Sequence, residues 1–145
     1  MTYRLNEVQL ALPGQEVQDA SINILKFADL GTSLIVSRAL LGEGETLQSN
    51  FEAQLKKLQE QIGELCYQAP RPVRVGADRD VTALEVRSQF NKGAECIYQY
   101  QLGLLLLPGS RQLLALSYVK TQPMGDSDNA YWANLKDSLI LNHQP

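Results

Sequence analysis

The chain has 145 residues, 44% hydrophobic and 20% charged, with a formal net charge of -3. That is the length of one domain, enough to bury about two-thirds of the surface of the unfolded chain without a disulfide or metal staple. The 13 basic residues are scattered and outnumbered by 16 acidic ones, which excludes the concentrated positive footprint of a nucleic-acid binder.

The opening residues Met1-Thr2-Tyr3-Arg4-Leu5-Asn6-Glu7 lack the apolar stretch and cleavage site of a secretory signal. The longest apolar runs, such as Leu104 to Leu107, are far short of the roughly 20 residues that span a bilayer. The expectation is a single domain over residues 1–145, cytoplasmic and not inserted in a membrane. Cys66 and Cys96 share no CxxC or Cys/His spacing, which suits a reducing compartment.

From Tyr3 to Leu12 the alternation of Leu5 and Glu7 with Val8, Leu10 and Leu12 predicts a strand that loses register midway, closed by Pro13-Gly14. The segment from Ser21 to Phe27 predicts a second strand, with Ile22 and Ile24 on one face and Asn23, Leu25 and Phe27 on the other. After a turn at Gly31-Thr32, residues 33–38 predict a third, with Ser33, Ile35 and Ser37 on one face and Leu34 and Val36 on the other.

A helix is predicted from about Leu47 to Leu65, with Thr46 or Ser49 as N-cap and Ser49-x-x-Glu52 as a capping box. Phe51, Leu55, Leu58 and Ile62 form its apolar stripe, bordered by Gln54 and Gln61. Val73 to Val75 reads as a short strand. Three long strands follow, Thr82 to Phe90, Ala94 to Leu107 and Arg111 to Lys120, joined at Asn91-Lys92-Gly93 and Pro108-Gly109-Ser110. A last helix, about Asp128 to Leu141, turns Trp132, Leu135 and Leu139 inward, with Asp126 or Ser127 as cap. Strands, helix, strands, helix make an α+β domain whose helices pack on one mainly antiparallel sheet.

Catalytic apparatus is hard to find. The one histidine, His143, is third from the end of the given sequence, directly before Gln144-Pro145, where chain ends fray. There is no nucleophile elbow, phosphate loop or metal-ligand spacing. Asp78, Asp80 and Glu85 could form an acid/base set, though two of them flank a turn. A pocket joining Glu85, Glu95 and a tyrosine would favour an enzyme. More informative are the faces that mix apolar with uncharged polar residues: Ile22 with Ile24, Ser33 with Ile35 and Ser37, and Ile97 with Gln99 and Gln101. Water-facing surfaces usually carry charge and core surfaces avoid amides, so this mixture suits an apolar partner with polar spots.

Tyr3-Arg4-Leu5-Asn6-Glu7, Ala20-Ser21-Ile22-Asn23-Ile24-Leu25-Lys26 and Leu34-Ile35-Val36-Ser37-Arg38 resemble, in order and spacing, the opening of the Eag chaperones of bacterial type VI secretion. The resemblance extends through the Phe51 to Ile62 helix to the Trp132 helix. Eag proteins are similar to the DcrB group and share the Mog1/PsbP-like α/β sandwich. DcrB-type relatives are exported lipoproteins, and the want of a signal segment and lipobox here favours the chaperone branch. The resemblance implies a non-enzymatic homodimer without cofactor that shields the N-terminal transmembrane helices of a PAAR-containing effector, often one with an Rhs domain. By position it implies a gripping surface of Ile22, Ile24, Ser33, Ile35, Ser37, Gln54, Leu58, Ile62, Ile97, Gln99 and Gln101. A one-residue slip near Ile97 would exchange these for Tyr98 and Tyr100. The alternative is a sheet-based module that regulates a folded partner, as Mog1-like proteins do.

Overall fold

The structure, a computed structural model, describes residues 2–4, 9–14, 18–62, 64–106 and 111–141. The Leu5 to Val8 stretch, the Pro108-Gly109-Ser110 turn and His143 lie outside the described residues.

Alternating side chains need a second surface on which to bury their apolar set, and the chain supplies it with one large sheet. Strands β3 (Ile22–Phe27), β4 (Thr32–Leu40), β7 (Val81–Lys92), β8 (Glu95–Leu105) and β9 (Gln112–Lys120), with the short β5 (Leu65–Tyr67) and β6 (Arg71–Val75), form seven antiparallel strands. Their order is β3-β4-β9-β8-β7-β5, and β6 also pairs with β7. The expected single strand at the start is two short ones, β1 (Thr2–Arg4) and β2 (Gln9–Ala11), which pair with each other; alternation is lost midway because the chain reverses direction.

Helix α1 (Leu47–Ile62) lies on one side of the sheet, here called the front, and α2 (Asp126–Ser138) on the back. The back core gathers Leu34, Val75, Ala83, Tyr100, Leu102, Leu104, Leu116 and Tyr118 around Trp132, with Leu135 and Leu139 packed against them. The front core is smaller: Phe51 and Leu55 of α1 against Leu84 and Val86 of β7, edged by Leu47 and Leu65. At about 1.5–3 kcal/mol for each large apolar side chain fully buried, the back face carries most of the hydrophobic stabilisation.

Local chemistry departs from expectation in four places. Helix α1 ends at Ile62, short of the expected Leu65, and Leu65 to Tyr67 form a strand on β7. Its cap is Thr46, one of the two expected, but the box differs: Thr46 Oγ1 accepts from the Ser49 N–H at 3.0 Å while Ser49 Oγ accepts from the Thr46 N–H at 2.9 Å, so the reciprocal pair is Thr46 with Ser49. Glu52 instead accepts from Gln48. Helix α2 begins earlier, at Asp126 behind Gly125, whose N–H donates to Asp128 Oδ2 at 2.8 Å; its last turn ends before Leu139, which still packs on the core. The β7–β8 turn is Gly93-Ala94 alone, with Lys92 paired to Glu95 and Gly93 at φ 64, the left-handed geometry that two-residue hairpins favour.

Candidate functional site

Antiparallel partners share a sheet face, so register places every strand residue on the front or the back. Ile22, Ser37, Ala115, Gly103 and Leu84 form one row across the front. Ile24, Ile35, Ser117, Gln101 and Val86 form the next, and Lys26, Ser33, Val119, Gln99 and Ser88 the third. Ile97 lies on this face opposite Phe90, while Tyr98 and Tyr100 point to the back with Lys120 and Tyr118. The register therefore brings Ile22, Ile24, Ser33, Ile35, Ser37, Ile97, Gln99 and Gln101 onto one surface.

Helix α1 covers only part of it. Phe51 reaches Gly103 so closely that a Cβ there would stand 2.4 Å from Phe51 Cζ, which holds the helix over β7 and β8. Between α1 and the sheet runs a groove of about 270 Å³ lined by Gln54, Leu58, Gln61, Lys57, Phe90, Gln99 and Gln101 among others. Gln54 and Leu58 thus join the strand residues. Ile62, half-buried at the end of α1, is not among the groove's lining residues.

On the other side of the groove no described helix covers β9, β4 and β3. Ile22 and Ile24 are 62% and 58% exposed, large for β-branched apolar side chains. From β8 to β3 are three strand spacings, about 14 Å at roughly 4.8 Å each, wide enough for a helix about 10 Å in diameter. The surface is nearly free of charge: Lys26 is the single ionisable residue in the three rows. Its polar groups are hydroxyls and amides, with Gln101 Nε2 donating to Ser117 Oγ at 3.4 Å and Gln54 Nε2 to Asn50 Oδ1 at 2.8 Å.

The sequence reading left out Ala115, Ser117 and Val119, which occupy the middle of this face on β9. The signal was present: in Leu113 to Lys120, Leu114, Leu116 and Tyr118 alternate with these smaller residues.

Under α2 the back face is held by a different chemistry. Glu85, 1% exposed, accepts Trp132 Nε1 at 2.9 Å and Lys136 Nζ at 2.5 Å on one oxygen and Arg71 at 3.0 Å on the other. Burial would raise its pKa, but the hydrogen bonds from Lys136, Trp132 and Arg71 and the Lys136 charge bring it down from 4.5 to about 2. Asp128 accepts from Tyr118 Oη at 2.7 Å and Lys120 Nζ at 2.9 Å; burial opposes its ionisation, and the Gly125, Lys120 and Tyr118 hydrogen bonds outweigh it, so its pKa is lowered. Burial, then the Asp128 hydrogen bond, pushes the Tyr118 phenol up to about 12. These groups tie α2 to the sheet, and a carboxylate held near 2 by committed donors is a poor proton acceptor at neutral pH. Asp78 and Asp80 are exposed in the turn before β7, and Glu95 is exposed on the front face, so neither expected carboxylate set assembles around Glu85. No group of three or more metal-ligating side chains occurs among the described residues.

A protein-family model described as DcrB matches residues 7–138. Among solved structures, the chain is similar to a crystal structure of PA94, a Pseudomonas aeruginosa protein of unknown function described as a candidate regulator. The TM-score is 0.72 at 18% identity, covering 99% of this chain and 98% of that one, which shows a shared fold. No curated protein matches.

Proposed function

The chain belongs to the DcrB family, and from that premise we propose that it is a non-enzymatic chaperone whose open front face holds an apolar helical segment of another protein. The observation that carries this reading is the uncovered, almost uncharged strip from α1 to β3, ending in the exposed Ile22 and Ile24. Apolar surface removed from water contributes roughly 25 cal/mol per Å², so such a strip can retain a client without covalent chemistry or a cofactor. Ser33, Ser37, Gln99 and Gln101 supply hydrogen bonds to polar groups on the client, as polar side chains do between transmembrane helices.

The resemblance to Eag proteins names the client: the N-terminal transmembrane helices of a PAAR-containing type VI secretion effector, held by a homodimer in the cytoplasm before export. No described helix of this chain is itself long and apolar enough to cross a membrane. Co-expression with such an effector's N-terminal region, followed by co-purification, tests the reading. Ile22→Asp with Ile24→Asp is expected to abolish retention while the circular dichroism spectrum and unfolding midpoint hold, because both side chains are already exposed. Unchanged retention would sink it, and capture of a folded domain with indifference to the apolar segment would favour the sheet-based regulatory module instead.

A further inference from the structure

On the back of the sheet, beyond the start of α2, a cleft of about 500 Å³ lies open. Arg87 and Gln89 of β7, Tyr98 and Tyr100 of β8 and Cys66 of β5 share this face, and Met124 joins them in the lining. No Asp or Glu is among the lining residues, so Arg87 is the cleft's only formal charge.

That charge is incompletely spent. Arg87 Nε stands 3.5 Å from Glu85 Oε1 and makes no hydrogen bond among the described residues. Glu85 already accepts three closer donors, two of them the cations Arg71 and Lys136. Three cations therefore surround one carboxylate. The guanidinium carbon lies over the Tyr100 ring, 4.4 Å from its centroid, a cation–π contact that restrains the side chain at the cleft wall.

We propose that this cleft binds the carboxylate of an acidic peptide segment, paired with Arg87, while Tyr98 and Met124 pack on a neighbouring apolar side chain. A lone guanidinium matches one negative charge, and phenol, thioether and thiol walls suit an apolar stem; a phosphate dianion would leave oxygens unmatched. Arg87, Tyr98 and Tyr100 are on the opposite side of the sheet from the apolar strip, and the cleft shares with that strip only the strand positions Ser88 and Gln99.

Hydrocinnamate, a carboxylate on an aromatic stem, is a small probe carrying both features; hydrocinnamamide removes the charge and inorganic phosphate removes the stem. In an NMR titration of the full chain, hydrocinnamate is expected to shift the Arg87 and Tyr98 signals saturably, with the amide and phosphate each at least about tenfold weaker. Arg87→Gln is expected to lose binding. Should that variant fail to fold, Gln89→Glu, an exposed change in the cleft lining, still has to weaken hydrocinnamate binding more than it weakens the amide. Equal affinity for the amide, phosphate binding as tight as hydrocinnamate, no saturable shift at these residues, or a Gln89→Glu variant with unaltered preference overturns the proposal. None of these changes is expected to alter retention of an apolar segment on the front face.

Discussion

Glu85 shows how far a residue's behaviour is set by neighbours remote in sequence. Its donors stand 14, 47 and 51 positions away, so the chain around it reveals only a carboxylate on a strand, open to an acid/base reading with Asp78 and Asp80. In the fold its pKa is lowered to about 2 from 4.5. A depressed carboxylate stabilises the fold fully above its unfolded value and loses that contribution as the pH falls through its folded one. Urea unfolding from neutral pH downward is thus expected to show stability falling between about pH 4.5 and pH 2, by about 2 kcal/mol from this group once screening of the exposed Arg71 is allowed for. Asp128, also lowered, adds in the same direction. Glu85→Gln should flatten that acid limb; an acid limb unchanged in the variant would show that the cluster is not its source. The front-face residues were more legible than Glu85, because strand alternation is local and assigns Ile22 with Ile24, or Ser33 with Ile35 and Ser37, to one side without reference to distant partners.

At the scale of elements, α1 approaches β8 most tightly at Gly103 among the described glycines. Gly103 leaves the space that the Phe51 ring fills, and a methyl group there would lie 2.4 Å from Cζ and 2.6 Å from Cε1. Gly103→Ala is therefore expected to destabilise the protein by about 1–3 kcal/mol through overpacking. In a Phe51→Leu background, which lacks the ring end, the same change should cost less than half as much, read as coupling in a double-mutant cycle of urea unfolding. Additive effects would mean that α1 sits elsewhere on the sheet. The apolar stripe of α1 was visible as helical periodicity and the long strands as alternation between turns. Val73 to Val75 was visible as part of β6, but the three-residue strands were not: Leu65 to Tyr67 became a strand by pairing with Phe90 to Ser88, and Thr2 to Arg4 by pairing with Ala11 to Gln9. Three residues carry too little pattern to declare a partner.

In the whole molecule the sheet separates two environments, a back that α2 covers except at the Arg87 cleft and a front that α1 half covers. Trp132, the only tryptophan in the sequence, is fully buried on the back, with Tyr100 and Tyr118 ring centroids at 5.7 and 6.3 Å. Its emission should red-shift on unfolding yet stay unmoved when a tryptophan-free apolar client occupies the front; a shift on binding without loss of structure would place the client on the wrong side. By itself the sequence determined the α+β class, the two main helices and which strand residues travel together, because these follow from periodicities of two and 3.6 read along a short window. Only the tertiary structure decided that Gln99 and Gln101, rather than Tyr98 and Tyr100, join Ile24 and Ser33, that β9 runs through the middle of that surface, and that an arginine on the other side is left with charge to spare. Those outcomes depend on register and on where each helix settles, which are set by contacts between residues far apart in the chain.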